Sequence, residues 1–150
     1  MRDLNRFGIC VIDQFLPNGD PVLEEVLQLY SAGVFSAGQV VHSSPASAAG
    51  QIRGDQVLWL RGCEAKSVGL LMATFDELIS RCSNHKTKAG EFKKYQISGR
   101  TKAMVACYPG NFAKYVRHVD NPNGDGRCVT AIYYLNKNYD RVVSALINIR

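Results

Sequence analysis

The chain has 150 residues, 46% of them hydrophobic, and a formal charge of +5, enough for one domain with a core and too little for two. No run approaches the roughly 18 apolar residues that cross a bilayer, and the apolar stretch over residues 7–16 is broken by Asp13 and lacks a small-residue cleavage site. A soluble, non-secreted protein is expected. Its five cysteines, Cys10, Cys63, Cys82, Cys107 and Cys128, are an odd number at long spacings with no CxxC pair, which points to reduced thiols in a cytoplasmic or nuclear setting.

In chain order, the β-branched and aromatic run over residues 7–13 (FGICVID), followed by Pro17, Asn18 and Gly19, predicts a strand and a turn. A helix is predicted next. Asp20 can cap it, Pro21 suits its first turn, Leu23, Val26, Leu27 and Tyr30 recur at helical spacing, and Gly33 ends it. Residues 37–54, rich in Ser, Ala and Gly, form a connection long enough to be functional or disordered. Residues 56–60 (QVLWL) read as a strand, and residues 67–82 as a second helix with Leu70, Leu71, Thr74, Leu78 and Ile79 as its apolar stripe. Lys86, Lys88, Lys93, Lys94, Arg100 and Lys102 then concentrate positive charge. With no nucleic-acid module beside them, a solvated basic face is the expected reading, and an acidic protein segment could be drawn there.

Strand signals crowd the remainder: residues 95–98, 102–108, 115–118, 127–135 and, more weakly, 142–149. Helices first and an antiparallel β region after them suit an α+β protein or a β-sandwich braced by helices. Period two puts Met104, Ala106 and Tyr108 on one strand face and Thr130, Ile132 and Tyr134 on another, so two strands could aim a tyrosine and apolar side chains into one pocket, although tyrosines in strands more often simply pack.

The chemistry gathers in the same region. His118 and Asp120 stand two apart at an expected strand end, projecting from one face. An imidazole and a carboxylate so held are two thirds of the facial triad that binds non-haem iron, though an HxD pair alone is also what an exposed His beside a turn Asp looks like. An EF-hand loop from Asn121 fails because Ile132 stands where the twelfth-position Glu belongs. Gly124 and Gly126 lack the third glycine and the helix of a dinucleotide fingerprint, and are better explained as tight-turn residues.

Four runs, GRTKAMVACYPGN at 99–111, YVRHVDNPNGDGRCVT at 115–130, IYYLNKN at 132–138 and RGDQ at 53–56, resemble the hypoxia-inducible factor prolyl hydroxylases, the Egl nine family, in good register over residues 7–140. The resemblance implies an Fe(II)- and 2-oxoglutarate-dependent dioxygenase that hydroxylates a proline in a hypoxia-inducible factor alpha subunit, with oxygen as cosubstrate and ascorbate as reductant. It implies His118 and Asp120 as iron ligands, with Tyr108, Tyr115 and Tyr134 contacting 2-oxoglutarate and Met104 and Ile132 as its apolar wall. Arg53, Asp55 and Arg127 would support the mobile substrate loop before them, Asp55 and Arg127 as a charged pair. The implied fold is α+β, mainly β: a double-stranded β-helix, a cupin-like jelly roll, with N-terminal supporting helices.

The pattern breaks near the end. The family's second iron histidine and the arginine that grips the far carboxylate of 2-oxoglutarate have no position here; His42 and His85 fall elsewhere, and residues 141–150 read as a divergent tail. The expectation is a single dioxygenase domain over residues 1–150 lacking its C-terminal strands, a monomer without a membrane or nucleic-acid partner. Its own turnover is in doubt, and a non-catalytic substrate- or partner-binding fragment is the alternative.

Overall fold

The computed structural model describes residues 2–38, 54–84, 92, 95–110, 113, 118–121, 124–136 and 144–149. Three helices, α1 (Arg2–Phe7), α2 (Asp20–Ser31) and α3 (Lys66–Asn84), accompany strands β1 (Ser36–Ala37), β2 (Gln56–Leu60), β3 (Ala103–Tyr108), β4 (Ala131–Tyr134) and β5 (Ser144–Ile149). The strands make one sheet in the order β1-β2-β3-β5-β4, antiparallel at every neighbouring pair. No helix among the described residues is long and apolar enough to cross a membrane.

Alternation along the strands separates two sheet faces. Leu58, Leu60, Ala103, Val105, Ala131 and Tyr133 turn toward the helices, where Val22 and Val26 of α2 and Val68, Leu71, Met72 and Phe75 of α3 complete the main core. Val57, Met104, Ala106 and Tyr108 form a small cluster on the opposite face. Trp59, paired with Met104, remains 46% exposed.

The expected strand over residues 7–13 does not form. Phe7 ends α1, Gly8 turns with a positive φ of 71°, and Ile9 and Val11 lie exposed. A β-branched run becomes a strand only beside a partner edge, and none of the described strands pairs with it. Residues 95–98 are likewise outside any strand; most of the expected strand over residues 115–118 lies outside the described residues.

Both longer helices fall where their periodicity places them, with altered detail. Gly19, not Asp20, is the N-cap of α2, and the Asp20 amide donates to Asn18 Oδ1 at 3.0 Å. Gly33, at a φ of 71°, stops the helix. In α3 the buried stripe is Val68, Leu71, Met72 and Phe75, while Leu70 is exposed. Two apolar stripes of similar period run along this helix, and docking on α2 and the sheet selects one.

The N-terminus of α3 is capped from another helix. Glu25 Oε2 accepts the amides of Ser67 and Val68, both at 2.8 Å, placing a negative charge on the positive end of α3 while joining it to α2. Replacement by alanine, Glu25→Ala, should lower stability by about 1 kcal/mol, read as a lower urea midpoint at unchanged slope.

The stretch read as a divergent tail contains an interior strand of the sheet. β5 pairs with all six residues of β3 and with all four of β4, so residues 144–149 bridge the two strands that carry the candidate site.

Candidate metal and cosubstrate site

The register aligns the site strands. Met104 and Ile132 face the same β5 position, as do Ala106 and Tyr134, so Met104, Ala106, Ile132 and Tyr134 share the sheet face turned away from the helices. Tyr108 continues it on β3 and packs on the Val57, Met104 and Ala106 cluster. The period-two reading of the two strands is thereby realised, with β5 between them. Ile132 and Tyr134 are 44% and 66% exposed while Met104 and Ala106 are 4% and 1% exposed, so this apolar floor is open along β4 and covered along β3.

At one end of that floor His118 Nε2 lies 3.0 Å from Asp120 Oδ1, and the Thr130 hydroxyl donates to Asp120 Oδ2 at 2.7 Å. Thr130 immediately precedes β4 and alternates in phase with Ile132 and Tyr134, which ties the carboxylate to that face. The turn between Asp120 and Thr130 is held by Asn121, whose Nδ2 donates to the Arg127 carbonyl and whose Oδ1 accepts the Asp125 amide, each at 2.8 Å. Such side-chain bonds to nearby backbone are why Asn and Asp favour turns.

Arg127 makes an ion pair with Asp125, at 2.6 Å, beside the pairing with Asp55 that the resemblance suggests. The guanidinium bond holds the Asp125 carboxyl below its ordinary range, and Asp125 in turn raises Arg127, with a smaller contribution from the charge of Asp120. The folded-state pKa of Asp125 is depressed, so this tie is fully present above the ordinary carboxylate range and is lost as pH falls from there through the lowered folded-state value. Asp55 is buried before β2, its carbonyl accepting the Gly38 amide at 2.8 Å. Beside it, a Cβ on Gly54 would stand 2.9 Å from Ala113 Cα, so Ala113 packs against the base of β2. Arg53 and Tyr115, with His42 and His85, lie outside the described residues.

Two donors about 2.1 Å from one ion and at right angles to it stand about 3.0 Å apart, so the spacing of His118 Nε2 and Asp120 Oδ1 fits two adjacent positions on iron. Among the described residues no third His, Cys, Asp or Glu joins them. Sequence reasoning placed Thr130 on the right face but gave it no role, because only folding shows that its hydroxyl reaches Asp120. Trp59 was also missed; its place on that face follows from the β2–β3 register.

No protein-family model matches the chain. It is 52% identical over 145 residues to Egl nine homolog 1 of Mus musculus, a match covering 94% of this chain and 34% of that protein. With the prolyl hydroxylase EGLN3 of Homo sapiens it shares 46% identity over 143 residues, covering 91% of this chain and 56% of the relative. A solved prolyl hydroxylase from Trichoplax adhaerens, in complex with a hypoxia-inducible factor oxygen degradation domain peptide fragment, superposes with a TM-score of 0.79 at 39% identity, covering 99% of this chain and 74% of that one. The class these comparisons define is the prolyl hydroxylases, with a helix-braced antiparallel sheet. The chain belongs to the hypoxia-inducible factor prolyl hydroxylases, the Egl nine family, and spans about a third of the length of the mouse Egl nine homolog 1 it matches.

Proposed function

We propose that these residues form the greater part of an oxygen-sensing, Fe(II)- and 2-oxoglutarate-dependent prolyl 4-hydroxylase domain of the double-stranded β-helix type, acting on a hypoxia-inducible factor alpha subunit. The observation that carries the reading is the convergence of His118 Nε2 and Asp120 Oδ1 at 3.0 Å at the end of the sheet face that bears Met104, Ile132 and Tyr134. Iron held there would supply the oxidising chemistry: of one O2, one atom would enter the carboxylate of succinate as 2-oxoglutarate loses carbon dioxide, and the other would be inserted into a C–H bond of the proline.

The chain's own residues bind and orient. Met104 and Ile132 give the cosubstrate's methylene carbons an apolar wall, Tyr108 and Tyr115 line its pocket, and the Tyr134 hydroxyl donates to its far carboxylate. Thr130 and Tyr134 are four residues apart, about 13 Å along a strand, a span filled by the cosubstrate together with the tyrosine side chain. Arg53, Asp55 and Arg127 support the segment that meets the substrate peptide. Ascorbate serves as the reductant that restores oxidised iron, and the protein acts as a monomer. A cytoplasmic or nuclear location suits five cysteines that are all free.

One observation favours a second reading, a non-catalytic fragment that binds substrate or partners: no group of three metal-ligating side chains occurs among the described residues. Succinate formation separates the two. The 150-residue chain with Fe(II), 2-oxoglutarate, ascorbate and a proline-containing peptide of the factor should give little succinate above background, because among the described residues His118 and Asp120 are joined by no third metal-ligating side chain. Continued with the C-terminal remainder of human EGLN3, it should add one oxygen to the proline, seen as a mass gain. In that chimera Tyr134→Phe should raise the 2-oxoglutarate needed for half-maximal turnover by roughly 2- to 10-fold, the loss of one hydrogen bond of about 0.5–1.5 kcal/mol. A chimera inert toward the peptide would overturn the enzymatic reading, and vigorous hydroxylation by the 150 residues alone would overturn the need for further iron and carboxylate groups.

A further inference from the structure

We infer that Thr130 is a positioning residue of the metal site, fixing which oxygen of Asp120 meets the metal; this rests on the reading of His118 and Asp120 as a metal-binding pair. The two carboxylate oxygens of Asp120 have different partners: Oδ2 accepts the Thr130 hydroxyl at 2.7 Å, and Oδ1 faces His118 Nε2 at 3.0 Å. A hydroxyl bound to a carboxylate at that distance is a charge-assisted hydrogen bond, stronger than its neutral counterpart. Its donor stands on firm ground. Thr130 leads directly into β4, which is paired along its whole length with β5, and as a β-branched residue it has a restricted χ1. Its acceptor leads into the turn clamped by Asn121 on both the Asp125 and the Arg127 sides.

Held at Oδ2, the carboxylate cannot swing freely about its last torsion, and Oδ1 stays beside His118 Nε2. The carboxylate then meets a metal through one oxygen, occupying one coordination position and leaving the neighbouring positions to cosubstrate and oxygen. Without the hydroxyl, the carboxylate loses this restraint, and Oδ2 would be able to turn onto a metal as a second ligand atom. Partners of this kind orient ligands in many metal sites, and removing one typically costs about 10- to 100-fold in metal affinity.

Thr130→Val tests this with little disturbance to the fold: Val keeps the β-branch and the strand preference, the side chain is exposed, and only the donor is lost. The probe is Co(II) alone, titrated into the 150-residue chain, read by calorimetry for affinity and by visible absorption for the geometry of the bound ion. Thr130→Val should weaken Co(II) by roughly 10-fold or more and change the visible bands, and Thr130→Ser, which restores a hydroxyl, should recover both. If Thr130→Val lowers only the thermal midpoint and leaves Co(II) affinity and bands as in the parent, Thr130 is a turn staple and the inference is overturned while the metal pair stands. If the parent chain itself takes up no Co(II), the His118–Asp120 reading fails, and the role of Thr130 fails with it.

Discussion

His118→Ala and Asp120→Ala are each expected to abolish saturable Fe(II) binding, in the 150-residue chain and in the chimera extended with the EGLN3 remainder. The motive is geometric: one imidazole nitrogen and one carboxylate oxygen converge at 3.0 Å, and no other group of metal-ligating side chains is assembled among the described residues. Iron held by so few protein donors depends heavily on each. A loss of about 100-fold in affinity corresponds to about 2.7 kcal/mol, and removing one of two donors should exceed it. Glu77→Ala, which removes an exposed pair with Arg81 on α3, is the matched control and should leave iron affinity unchanged. Anaerobic titration calorimetry decides the matter: undiminished Fe(II) affinity in either site variant would remove that residue from the ligand set.

Gly69→Ala should destabilise the fold by roughly 2 kcal/mol, against the direction that helix propensity predicts. An exposed glycine in a helix interior gains about 1 kcal/mol on becoming alanine. Here, however, a Cβ on Gly69 would collide with the Gly62 carbonyl oxygen, a backbone atom that no side-chain rotation can move aside. Making room means shifting the turn in which Glu64 accepts the Arg61 and Gly62 amides, both at 2.9 Å; its own backbone amide first, and these two after it, hold the Glu64 carboxyl below its ordinary range. Overpacking costs of about 1–3 kcal/mol are usual where a core must yield, and contact with backbone on both sides belongs at or above the upper end. The measurement is the denaturant midpoint; an equal or higher midpoint for Gly69→Ala would show that the turn moves freely and that the close packing of α3 on it contributes little.

Much of the molecule was legible before folding. The register of hydrophobic and polar residues located α2, α3, β2, β3 and β4 to within a few residues, because helix and strand periods are local properties of the chain. The same alternation put Met104, Ala106 and Tyr108 on one face and Thr130, Ile132 and Tyr134 on another. The HxD spacing singled out His118 and Asp120, and the four motif runs carried the family, in which the comparisons place the chain.

What local pattern could not supply was partnership across long separations. Residues 9–12 have the strand-forming composition of residues 56–60, yet only the latter meet an edge, that of β3, and strand propensity is realised by pairing more than by composition. Residues 144–149 looked like a weak and divergent end, but they lie between β3 and β4 and bring the two site strands into one floor. Leu70 fits the α3 stripe as well as Val68 does, until docking on the sheet leaves Leu70 in solvent and buries Val68. Arg127 acquired Asp125 as a partner because the Asn121 turn folds the two together. The sequence by itself determined the element periods, the HxD spacing and the family; the tertiary structure alone decided which strands pair, which stripe is buried and which hydroxyl holds Asp120. Those outcomes depend on backbone hydrogen bonds and close packing between residues far apart in the chain, whose free energies no short window of residues contains.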